Sequence, residues 1–238
     1  MRNKIISTIA ISAIGILSTS CIKIGTSQKD YGEAVTTTVN ITEDFNTIIT
    51  SGITDIEFVP GPVSMTLTAP EKIIDNIKIE VRNGTLYVEE KKGFEIKNFS
   101  NNFQAKLTVS APSVSKFETT GIGDFEIKRL HEKEVSLITT GTGDISLQTA
   151  RCTKLSAHGS GTGDIDISYL SCVVAECSTS GTGDITFTRL VADRLNGTTS
   201  GIGDITVSGE CKEATLESSG MGDINRKGLE IIHSGNED

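Results

Sequence analysis

A short unit, Gly-x-Gly-Asp followed by an apolar residue, returns six times in the second half of the chain and dictates what the chain can become. Gly121-Ile122-Gly123-Asp124-Phe125 recurs from Gly141, Gly161, Gly181, Gly201 and Gly220, at intervals of 20, 20, 20, 20 and 19 residues. A fixed period of this length means a solenoid, because one unit cannot bury its apolar face without neighbours above and below it. Aligned on the repeat, apolar residues fall into columns: Ile127, Leu147, Ile167, Phe187 and Val207; Val135, Leu155, Ala175 and Leu195; Leu137, Ala157, Cys177, Gly197 and Leu216. Polar residues alternate with them, which is the period of strands and not of helices. The expected fold is an all-β, right-handed parallel β-helix with about 20 residues per coil.

Each Gly-x-Gly marks a corner that needs either positive φ or close backbone approach, and the Asp after it can bond turn amides. These units precede strands, so they are not the glycine-rich phosphate loops that open a helix.

The section from Val39 to about Glu118 has a different composition, with eight of the eleven Phe and Tyr residues of the chain lying before residue 120. Alternation predicts strands over residues 47–50, 53–59, 64–68, 77–81, 86–89 and 105–109, with a helical turn or two in 70–76. Asn83-Gly84 between two alternating runs is a hairpin signal. The stretch 97–103 is a polar loop, or else its Phe99 and Phe103 seal an end of the core.

Residues 1–20 read as a secretory signal: Arg2 and Lys4, an apolar run from Ile5 to Leu17, then Ser18-Thr19-Ser20 before Cys21. This segment resembles a bacterial lipobox, which implies lipidation of Cys21; ordinary cleavage to a soluble form is the alternative. Ile22 stands where the inner-membrane retention signal has Asp, so the expectation is an outer-membrane lipoprotein, periplasmic or surface-facing. Residues 21–38 read as the linker from the lipid anchor. The net charge is −9, and loss of Arg2 and Lys4 takes it to −11, 20 basic against 31 acidic residues. That balance excludes the basic stripe a nucleic-acid partner needs.

Phe45-Asn46-Thr47-Ile48, the 53–58 strand, the 77–88 hairpin and the Ser/Thr-Gly-x-Gly-Asp-Ile ladder resemble the head GIN domain family of auto-transporter adhesins, common in Bacteroidetes-type lipoproteins. The similarity runs over residues 43–228. It implies a β-helix at the cell envelope and raises recognition of a glycan or envelope protein as the function, without naming a ligand.

Asp124, Asp144, Asp164, Asp184, Asp204 and Asp223 are expected to stack about 4.8 Å apart, where neighbouring charges repel by about 0.9 kcal/mol in water and about 3.5 at an effective dielectric of twenty. Solvation with turn hydrogen bonds relieves this, or a weakly bound calcium bridges the carboxylates. A second column holds Thr140, Ser160, Ser180, Ser200 and Ser219, preceded by Thr139, Thr179, Thr199 and Ser218. Cys152 and Cys172 share a column in consecutive coils and Cys211 joins it two coils on; one coil lies within disulfide reach and two do not, so a Cys152–Cys172 disulfide is expected, with four free thiols as the alternative. Cys177 falls in an inward column. His131, His158 and His233 fall in different columns, so no catalytic constellation emerges. A calcium-dependent polysaccharide lyase is the competing reading, against which stand the five insertion-free intervals that leave no cleft walls. A purely structural spacer is the third.

Overall fold

The computed structural model describes residues 31–94 and 105–232. The secretory signal, Cys21, the loop at 97–103 and His233 lie outside the described residues. The first section comprises β1 (Ala34–Thr38), β2 (Thr47–Thr50), β3 (Thr54–Pro60), β4 (Ser64–Pro70), α1 (Glu71–Ile74), β5 (Ile77–Arg82), β6 (Thr85–Glu90) and β7 (Ala105–Ala111). It continues through β8 (Lys116–Thr119), β9 (Phe125–Ile127), β10 (Leu130–His131), β11 (Glu134–Thr139), β12 (Ile145–Arg151) and β13 (Lys154–Gly159). The last coils are long bent strands, β14 (Ile165–Thr179), β15 (Ile185–Thr199), β16 (Ile205–Ser218) and β17 (Ile224–Ile231). Among the described residues no helix is long and apolar enough to cross a membrane.

The chain forms a β-solenoid of about 6 turns with about 20 residues per turn. Residues one period apart are hydrogen-bonded partners in parallel strands: Ile145 with Ile165, Ile165 with Ile185, Ile185 with Ile205 and Ile205 with Ile224. Ile145, Leu147, Ala150, Leu155 and Ala157 point inward, and the side chains between them lie at or near the surface. The shortened 19-residue interval is absorbed at Gly209, whose φ of +125° lets the strand slip one residue past Leu190.

Order along the axis differs from order along the chain. β2 and β3 lie between the rung made by β6 and β7 and the rung made by β8 and β9, so Ile48 pairs with both Leu86 and Phe117. Antiparallel pairs close that end: β4 on β7, β5 on β6, and β1 on β4. The β5–β6 turn is formed by Asn83 and Gly84, both at positive φ, as the Asn-Gly signal predicts. Residues 34–38, read from sequence as tether, form β1 instead. An edge strand with almost every side chain exposed carries no hydrophobic alternation, which is why the pattern does not reveal it.

The aromatic residues concentrate where the cap meets the coils. Phe58, Phe117 and Phe125 are buried and stack edge to face, with ring centroids 5.2 and 5.6 Å apart. Higher up, the core is a ladder mainly of Ile, Leu and Val, with Phe187 and several Ala and Cys among them, and each fully buried Ile, Leu or Val is worth about 1.5–3 kcal/mol.

Candidate functional site

The most regular feature of the surface is the aspartate column at the corner before each inward Ile. Every corner repeats one bonding scheme. The amide of each Asp donates to Oδ1 of the Asp one coil below: Asp144 to Asp124 and Asp164 to Asp144 at 2.8 Å, then Asp184 to Asp164, Asp204 to Asp184 and Asp223 to Asp204 at 2.7 Å. The Asp carbonyl in turn accepts the amide of the apolar residue one coil below, as in Ile145 to Asp164 at 2.8 Å. The carboxylates therefore complete the backbone ladder where the chain turns and strand pairing lapses. An N–H lies at each junction between stacked carboxylates, and its dipole offsets part of their repulsion.

The column is longer than the six repeats. Asp124 donates to Asp55 Oδ1 at 3.1 Å, so Ser51-Gly52-Ile53-Thr54-Asp55-Ile56 is a seventh, degenerate unit with Thr54 in place of the second glycine. It stands 69 residues before its neighbour because β4 to β7 are inserted between them, and a search at a fixed 20-residue period passes over it. At its base the amide of Ile53 donates to Glu90 Oε1 at 2.9 Å; in the coils above, the matching amide donates to a glycine carbonyl.

That glycine carbonyl explains the Gly-x-Gly. Gly141 O receives both Thr162 N at 2.9 Å and Gly163 N at 3.4 Å, which draws successive corners together. A β-carbon on Gly161 would lie 1.9 Å from Gly141 O, and one on Gly163 2.1 Å from Gly143 O. Neither glycine has positive φ, so close approach is the requirement.

The two hydroxyl columns separate. Thr119, Thr139, Thr179 and Thr199 are buried, and each donates to the carbonyl of the second glycine of its own corner at 2.8–3.0 Å. Thr140, Ser160, Ser180, Ser200 and Ser219 are exposed beside them. On the face that follows the aspartates, the outward residues are mostly small and polar: Ser146, Gln148, Asp166, Ser168 and Thr188 are all exposed.

Burial pushes the Asp124 carboxyl above its ordinary range, aided by the charges of Asp55 and Asp144 and opposed by the Asp144 amide. Asp166, though its side chain is exposed, moves the same way, through partial desolvation first and then the charges of Asp164, Asp144 and Asp184, with the bond to Thr186 opposing. A shallow hollow of about 390 Å³ lies among Asp55, Asp124, Asp144, Asp166, Glu126 and Lys106. Lys106 bridges Glu57 at 2.8 Å and Glu126 at 3.8 Å. Among the described residues no three His, Cys, Asp or Glu side chains are grouped as metal ligands.

Cys152 and Cys172 occupy matching positions in consecutive coils, since Arg151 pairs with Ser171 and Cys152 N bonds Ser171 O at 3.1 Å. Both are free thiols in this structure and half-buried. Cys211 lies two coils above Cys172, beyond Ala192, and is buried. Cys177 is buried in its inward column and its thiol is pushed up to about 12 by desolvation. His158 bonds Ser178 Oγ at 2.7 Å, and His131 lies on a different strand of the coil.

The family model described as "Putative auto-transporter adhesin, head GIN domain" matches residues 44–168 and 170–234. Among solved structures, a "putative adhesin" from Bacteroides fragilis has a TM-score of 0.70 at 22% identity, covering 81% of this chain and 96% of that one. A "putative lipid binding protein" from Parabacteroides distasonis gives 0.60 at 21% identity over 81% and 97% of the two chains. A "putative adhesin" from Parabacteroides merdae gives 0.54 at 16% identity over 82% and 96%. None of the curated proteins matches the chain.

Proposed function

We propose that this chain, which belongs to the head GIN domain family, is a non-catalytic adhesin-like module that recognises a glycan, or an envelope protein, along one outward face of its solenoid. The observation that carries this is the face bearing Ser146, Gln148, Asp166, Ser168 and Thr188. Its rungs are held in register by the aspartate column beside them, and its side chains are short, exposed and rich in hydroxyl and amide groups. Parallel strands repeat such groups about every 4.8 Å. A polymer with its own repeat of hydroxyls meets that surface with many modest hydrogen bonds, and the ordered short side chains lose little rotamer freedom on binding.

Enzymatic cleavage of a polysaccharide needs walls and converging acid–base groups. The hollow of about 390 Å³ is shallow, and the five intervals between Asp124 and Asp223 carry no insertions that could wall a cleft. In this reading the protein is exported, its lipidated Cys21 holds it at the outer membrane, and residues following Cys21 span the distance to β1.

The test is a glycan array and an envelope-extract pull-down with the whole mature chain, followed by a face-swap control. Selective binding that Ser146→Arg with Ser168→Arg abolishes, and that Ser156→Arg with Ser178→Arg leaves intact, supports the assignment. Unsaturated products from polyuronates would replace it with lyase activity, and the absence of any retained ligand would leave a spacer.

A further inference from the structure

We propose that Cys152 and Cys172 form an oxidisable dithiol that closes to a disulfide between consecutive coils by exchange with a low-molecular-weight or protein disulfide. The inference does not rest on the binding assignment, and it concerns a different part of the coil. Three observations support it. The two cysteines are adjacent in register, and neighbouring parallel strands set their α-carbons about 4.8 Å apart, inside the span a disulfide bridges. Both are half-buried, not sealed in the core as Cys177 and Cys211 are. Cys152 also lines a hollow of about 510 Å³ with His131, Glu132, Lys133 and Arg151, which is large enough to admit a small disulfide reagent.

The roles of the two sulfurs differ. Cys152 lines that hollow, and Cys172 is not among its lining residues. Cys152 is therefore the attacking sulfur. Its thiolate displaces one thiol from the reagent disulfide to give a mixed disulfide. Cys172 then loses its proton and attacks the Cys152 sulfur, releasing the second thiol. Two protein thiols and one reagent disulfide become one protein disulfide and two reagent thiols. Ala192 separates Cys172 from Cys211, so the next coil offers no competing partner.

The product would clamp two adjacent rungs on the side of the coil away from the aspartate corner. In a solenoid whose successive coils are joined chiefly by parallel strand pairs, such a link resists separation of those two coils.

The experiment treats the full chain with oxidised glutathione, blocks remaining thiols under denaturing conditions and maps the peptides by mass spectrometry. The expected result is one linked pair, Cys152 to Cys172, reversed by dithiothreitol. Cys172→Ser should retain a glutathionyl group on Cys152, and Cys152→Ser should react far more slowly at Cys172. Blocked, unlinked Cys152 and Cys172 after oxidation of the wild type, or a link from either one to another cysteine, would overturn the proposal.

Discussion

The amide of Asp164 bonds the side-chain Oδ1 of Asp144 at 2.8 Å, and the carbonyl of Asp164 receives the amide of Ile145 at the same distance. One residue thus bonds the coil below through both its backbone groups, and its carboxylate does the same for Asp184 above. The column is first an element of the fold, and its charge comes with the carboxylates that accept the neighbouring amides.

That assignment separates two substitutions. Asp164→Ala removes the acceptor of the Asp184 amide and should destabilise the protein by about 1–2 kcal/mol. Asp164→Asn keeps an oxygen in place, removes a stacked charge, and should be neutral or slightly stabilising. Urea unfolding of the two variants decides the matter; equal losses would show that the negative charge is what counts.

Glycines on either side of Ser160 should respond in opposite directions. A β-carbon at Gly161 would lie 1.9 Å from a backbone oxygen that cannot move without opening the corner, so Gly161→Ala should cost several kcal/mol, on the order of 3 or more. Gly159 occupies the inward column filled elsewhere by threonine, and a β-carbon there comes no closer than 3.6 Å to its neighbours. Gly159→Thr should complete the column, add a hydroxyl bond to the Gly163 carbonyl, and stabilise by about 1–2 kcal/mol in thermal unfolding.

The buried hydroxyls make a related prediction. Thr179 donates to Gly183 O at 2.9 Å from a site that is 2% exposed. Thr179→Val leaves that carbonyl without its partner and should cost about 1–3 kcal/mol, whereas Thr179→Ser should retain most of the stability. Chemical denaturation of the pair measures the difference.

The pH dependence follows from the raised carboxyls. Asp124 and Asp166 bind protons more readily folded than unfolded, so between the ordinary value of 3.8 and their raised values the folded state holds more protons. Their ionisation opposes folding above that window, and their contribution to stability improves as pH falls through it. Asp166→Asn should therefore stabilise at neutral pH, and its advantage over the wild type should fade as pH approaches about 4. Melting curves from neutral to mildly acidic pH read this directly.

Much of this structure can be read from the residues alone because a solenoid makes long-range contacts periodic. The strand over Thr47–Thr50, the helical turn after Pro70 and the Asn83-Gly84 hairpin follow from local pattern, and the inward columns follow from the 20-residue interval. What pattern leaves hidden has a physical reason in each case. β1 is an exposed edge strand without alternation. Asp55 belongs to the ladder, but a 69-residue separation removes it from any fixed period. The reason for each Gly-x-Gly, approach to a backbone oxygen one coil below, is a property of stacked neighbours and not of the local sequence. The acceptor roles of the aspartates belong to the same class.

A crystal structure grown in millimolar calcium tests the central claim most directly, since it shows what lies between successive aspartates. The account predicts the Asp164 amide within hydrogen-bond distance of the Asp144 side chain, repeated from Asp55 to Asp223 with no ion between the carboxylates. Calcium coordinated by adjacent aspartates whose amides bond elsewhere, or coils offset so that Asp144 and Asp164 are not neighbours, would contradict it.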